Sequence, residues 1–154
     1  MHKFIATLLL IAFANLSFAV STTESIKVRY EPHLVTLTGV LELVIFPGPP
    51  NYQSVAEGDE PESTLVLRLD FPMDVQGNTL LPGEDREGML NISSHTNITI
   101  VHVVCPPDTP AGYWSRKTPA RVIVHGTLME GHTAHHHTKV VLFSKSIEVL
   151  APTN

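Results

Sequence analysis

The sequence predicts an all-β fold, a small five-stranded Greek-key barrel of the OB type, with a small β-sandwich as the next architecture in line. Three observations carry this: five stretches with strand-like patterning, no stretch with the periodicity of a long helix, and a crossover-length polar connection between the third and fourth stretches. The first stretch runs from Leu34 to Phe46, where Val35, Leu37, Leu41, Leu43 and Ile45 are apolar while Thr36, Thr38 and Glu42 are not. Gly39 interrupts it and predicts a bulge or sharp coil, which lets one long strand serve both sides of a small barrel. Thr64 to Asp70 is the second strand, resuming at Met73 to Val75 once Pro72 has broken the ladder. Asn97 to Cys105 is the third, ended by Pro106-Pro107, and Arg121 to Met129 the fourth. Thr138 to Leu150 is the fifth. Strands one and four share a local pattern, V-T-L-T-G-V-L at 35 to 41 and V-I-V-H-G-T-L at 122 to 128, which predicts matching geometry around a glycine rather than a repeat.

The connections have their own character. Pro47 to Ser63 carries four prolines, two glycines and four acids and reads as one long loop, with Tyr52 and Val55 available to pack. Val75 to Gly88 is turn-rich. Asp108 to Ala120 is a short polar connection holding Tyr113, Trp114 and an expected helical turn.

Residues 1–19 read as a secretory signal peptide: Lys3, the apolar block Phe4 to Phe13, then Ser17-Phe18-Ala19 with small residues at the cleavage positions. Residues 20–29 are then a leader or short edge strand, 30–150 a single domain, and 151–154 a tail. Localisation outside the cytoplasm follows, in the periplasm or secreted, with no membrane insertion after cleavage. Removing residues 1–19 takes away Lys3 and no acid, so a net charge of −5 becomes −6, a surface that repels nucleic-acid phosphates. Cys105 is the one cysteine, so no internal disulfide forms, and its apolar neighbours predict a small buried hydrophobe rather than a reactive thiol.

The chemistry concentrates in Glu130 to Thr138, E-G-H-T-A-H-H-H-T, which holds four of the nine histidines. On an extended chain His135 and His137 share a face, with His136 on the other and His132 three residues back. Three imidazoles from His132, His135 and His137 then suit zinc, copper or nickel, with Glu57, Asp59, Glu60 or Glu62 as a further ligand. The competing reading is structural: these side chains clasp the long loop onto the barrel. In OB folds the loops joining strands one to two and four to five flank the binding face, so segments 46–63 and 130–138 are expected to form one site. Its ligand-binding candidates are Tyr52, His132, His135, His136, His137 and Thr138, and its ligand a protein, a cell-wall glycan or a small molecule. His102 and His125 alternate with apolar residues and are expected to be barrel-lining or surface positions. No serine lies in a nucleophile-elbow context and Cys105 lacks a partner, which favours a non-enzymatic module. The enzymatic alternative is a metal-dependent hydrolase with Glu130 or Glu62 as base to a metal-held water. The sequons at Asn91 and Asn97 are discounted.

The blocks F-P-G-P-P-N-Y-x-S (Phe46 to Ser54), G-D-E-P-E (Gly58 to Glu62) and V-H-G-T-L…H-T-A-H-H-H-T-K-V (Val124 to Val140) resemble bacterial secreted proteins grouped as domain-of-unknown-function family 4431. The resemblance spans most of the chain after residue 19. It implies a short extracytoplasmic protein whose blocks belong to one site, and it carries no activity.

Overall fold

The computed structural model describes residues 24–80, 82–83 and 89–151. The signal-peptide reading of 1–19 and most of the expected tail lie outside them. The fold is all-β, as expected, with six strands in one sheet: β1 (Ile26–Arg29), β2 (Leu34–Pro47), β3 (Pro61–Gln76), β4 (His95–Val104), β5 (Ala120–Glu130) and β6 (Val140–Val149). β2 to β6 are the five expected strands. The possible short strand in the leader is real, and as β1 it lies parallel to β3.

The other pairings close into a ring. β2 is antiparallel to β3 and to β5, β5 to β6 and β3 to β4, while β4 and β6 run parallel. The inward positions of the alternating strands fill this ring with Leu37, Leu41, Leu67, Met73, Val101, Val124, Leu128 and Leu142. Trp114, on a single 3-10 turn (Trp114–Arg116), is buried against the same core. A loop aromatic here acts as a packing residue rather than an exposed stacking surface.

Two expectations change. The β2–β5 ladder runs through Gly39 without a bulge and the β2–β3 ladder begins at that residue, so β2 serves two neighbours around it as expected, while a register shift falls at His125/Gly126. β3 is also longer than its composition suggests. Pro61 is tolerated because it faces Pro47 at the end of the ladder, where neither ring nitrogen has a hydrogen to donate. Pro72 falls where β3 changes partners: pairing with β2 ends at Leu69, pairing with β1 starts at Met73, and the β4 ladder shifts register between Arg68 and Met73. A missing N–H at that point leaves no partner stranded.

Candidate functional site

The expected loop 47–63 is shorter and more ordered than its composition implies, running from Gly48 to Glu60. Its base is closed by Gly48 N–H donating to the Glu60 carbonyl at 2.7 Å and Glu60 N–H to the Pro49 carbonyl at 2.8 Å. Val55–Glu57 forms a 3-10 turn that ends on Gly58 at φ 109. The loop winds around one carboxylate. Asp59 is buried and accepts the backbone N–H groups of Asn51, Gln53 and Ser54 at 2.9, 2.7 and 2.8 Å. The Ser54 and then the Gln53 bond hold its carboxyl below the usual range, against the opposing pull of burial. Asp59 therefore acts as an internal fastener of the loop. Asp59→Ala is expected to bring the Asn51, Gln53 and Ser54 amides to near free-chain hydrogen exchange while β5 amides keep their protection. Unchanged exchange in the loop would show that its prolines hold it without the carboxylate.

The histidine segment is a loop between β5 and β6, closed at its base by Gly131 N–H donating to the Lys139 carbonyl at 2.8 Å. It meets loop 48–60 through side chains. His135 Nδ1 lies 3.0 and 3.1 Å from the two oxygens of Glu62, and its Nε2 lies 3.1 Å from the Tyr52 hydroxyl. Since a carboxylate can only accept, Nδ1 carries the proton, and in a neutral ring Nε2 then accepts from Tyr52. Glu62 also sits 3.5 Å from His137 Nε2. Burial pushes the Glu62 carboxyl up, but the His135 contacts and then those of His137 outweigh it and hold it below the usual range.

His137 is stacked flat on Phe46, with ring centroids 4.5 Å apart and planes 2° from parallel. Its side chain is 7 % exposed and its Nε2 makes no hydrogen bond. His102 of β4 lies beneath, 6.0 Å from the His136 ring and 6.3 Å from His137. Burial first, then the neighbouring His136 and His137, push His102 down to about 4. It is therefore a neutral imidazole at neutral pH, and its Nδ1 is buried without a partner. His132 turns the other way: its backbone N–H donates to His136 Nδ1 at 3.2 Å and its own Nδ1 donates to the Glu130 carbonyl at 3.1 Å. Burial and then the surrounding imidazoles lower His136 as well. Thr138 anchors the segment to β4, its hydroxyl accepting from His102 N–H at 2.8 Å and donating to the Val140 carbonyl at 2.6 Å.

All six candidate residues thus lie in or beside one cluster, which also includes Glu62, Phe46 and His102. Sequence reasoning placed His102 outside it, because alternation tells which face of β4 it occupies but not that the histidine loop folds back over that face. Of the proposed metal ligands, His135 and His137 share Glu62, while His132 packs on His136 at 4.8 Å. Among the described residues, no three or more His, Cys, Asp or Glu side chains form a group that could hold a metal ion. Glu130 is committed elsewhere, its carboxylate accepting from Ile92 and Ser93 N–H at 3.2 and 3.3 Å.

Beside the cluster opens a cleft of about 670 Å³, lined by residues 62–65 of β3, 102–105 at the end of β4, part of the segment 106–115, Leu43, His135 and His136. Cys105 lines it, with its thiol pushed up by burial. Residues 101–148 match the model of DUF4431, a domain of unknown function. The DUF4431 match covers the end of the cleft on β4, all of β5, the histidine segment and most of β6, but not the block at 46–62. No curated protein and no solved structure matches the chain. Among the described residues no helix is long and apolar enough to cross a membrane.

Proposed function

We propose that the protein is an extracytoplasmic, non-enzymatic binding module that takes its ligand in the cleft beside the histidine segment. One observation carries this reading: His135 and His136 of the histidine segment line the cleft with Glu62, and the Tyr52–His135–Glu62 chain lets loop 48–60 brace that wall from behind. The strand order and senses of the ring support an OB-like reading, in which the loops after its first and fourth strands, here 48–60 and 131–139, border the binding face. A mixed lining suits a ligand with an apolar body and one or two polar groups. The location outside the cytoplasm rests on residues 1–19, and cleavage after Ala19 is read directly from the mass of the exported chain. The site is tested by amide chemical-shift mapping of residues 20–154 against a library of small soluble fragments. Perturbations are expected at 62–65, 102–106 and 135–136. Hits confined to the groove formed by Lys27–Arg29, Asp74–Gln76 and Ser94–Thr96 would overturn the assignment.

Divalent-metal binding is the second reading. It is favoured by the buried, unpartnered His137 Nε2 beside Glu62 and the unpartnered His102 Nδ1 below it. Binding zinc, copper or nickel would require His135 or His137 to re-orient around Glu62. It predicts a metal-linked rise in melting temperature that disappears in His132→Ala/His135→Ala/His137→Ala. Metal-free protein whose melting ignores both chelator and added metal would remove it.

A further inference from the structure

The ladder between β3 and β4 splits like a fork. Val66, Leu67 and Arg68 pair with His102, Val101 and Ile100, but beyond that point β4 turns to β6, with Val103 and Val104 on Leu142 and Phe143. Pro61 to Leu65 keep β2 on one side, where they face Pro47 to Leu43. On the other side they have no strand partner among the described residues. The cleft opens where the two prongs part, since both 62–65 and 102–105 line it. Backbone N–H and C=O groups on an unpaired strand edge are the template for adding a further strand.

From this fork we infer that the site takes an extended peptide segment, added as a strand to the Pro61–Leu65 edge, with alternate side chains apolar and basic. This deepens the binding-module reading and rests on it. Five residues at strand rise give an edge of roughly 17 Å, room for a peptide of about five residues. An added strand sends its side chains alternately to the two faces of β3. One face carries Leu65 with Leu43 opposite it on β2, and there the peptide meets apolar surface. The other face carries Glu62. Among the described residues Glu62 is the one carboxylate lining the cleft and no lysine or arginine lines it, so a basic side chain finds a counter-charge and an acidic one finds none. His135, itself bonded to the Tyr52 hydroxyl, holds that carboxylate in place, which gives the joined loops a role in recognition.

The test uses 15N-labelled protein and four hexapeptides. The first is acetyl-Val-Lys-Val-Lys-Val-Lys-amide and the second its Val-Glu counterpart. The other two are the lysine peptide N-methylated at either its odd or its even residues. The lysine peptide is expected to shift the Ser63, Thr64 and Leu65 amides and those of Val103 to Cys105. Only one of the two residue sets of an added strand bonds to β3, so one methylated peptide should weaken about tenfold or more while the other binds as before. The glutamate peptide and Glu62→Gln should each weaken binding. Equal binding of both methylated peptides, or of the lysine and glutamate peptides, would overturn the inference. So would a concentration-dependent dimer that already protects these amides, because the occupant would then be a second copy. If no peptide binds while small fragments still map to the cleft, this inference fails and the binding-module reading stands.

Discussion

Gly39→Ala and Gly126→Ala are each expected to destabilise the fold by about 3 kcal/mol, the upper end of what overpacking produces. A Cβ on Gly39 would collide with the Arg68 carbonyl of β3, and one on Gly126 with the Phe143 carbonyl of β6. Both obstacles are backbone in a paired strand, so neither can swing aside as a flexible side chain would. The two sites are the glycines of the V-T-L-T-G-V-L and V-I-V-H-G-T-L segments, so the shared pattern marks two places where a neighbouring strand comes unusually close. Urea unfolding measures the effect, with Thr38→Ala as a neighbouring control expected to stay within about 0.5 kcal/mol of wild type. Alanine variants as stable as the control would mean that the strands have room to separate.

Acidification from pH 7 to pH 4 is expected to remove about 2 kcal/mol of stability through His102. The direction follows from its pKa, which falls from 6.5 to about 4 on folding. Above pH 6.5 the ring is neutral in both states and nothing is lost. Below that the unfolded chain takes up the proton while the folded chain does not, so stability falls steadily until about pH 4, where the folded ring is protonated too. The full shift corresponds to roughly 3 kcal/mol, and partial exposure of the ring to screening solvent reduces this. Glu62 faces the ring and opposes the effect; His136 and His137 reinforce it. The lowered carboxyls of Glu62, Glu130 and Asp59 begin to lose their contribution as pH drops past their ordinary values, 4.5 for the glutamates and 3.8 for Asp59, and go on losing it through their folded-state pKa values, a loss that wild type and a His102 variant share. His102→Gln should therefore flatten the stability curve between pH 6.5 and 4. Parallel curves for wild type and variant would show that the ring is as easily protonated in the folded chain as outside it.

The strands were legible because period-two alternation is a local property: Leu34 to Phe46, Asn97 to Cys105 and Arg121 to Met129 each declare their buried face residue by residue. What was not legible depends on partners far along the chain. Pro61 and Pro72 look like strand breakers until the ladders are known, because only the ladders show that both fall where no N–H is needed. The acids of segment 47–63 looked alike in sequence, yet Asp59 turns inward to three amides while Glu62, carried on β3, faces the histidines. The two odd loops were foreseen to meet. That Tyr52, His135 and Glu62 are the points of contact, that His102 lies beneath them, and that part of the cleft lining comes from 106–115 are all results of tertiary folding.

The ring is sealed by its last strand. β6 is the partner that β5 needs on one side and β4 needs on its parallel side, and it is also the last of the described strands in chain order. Until Val140–Val149 is in place, β4 and β5 each have an open edge, and the histidine loop has no second anchor. Closure joins segments tens of residues apart, which places this topology among slow folders. A chain emerging in order from its N-terminus can form the β2–β3 hairpin early, but the cleft, its histidine wall and the core all wait for β6.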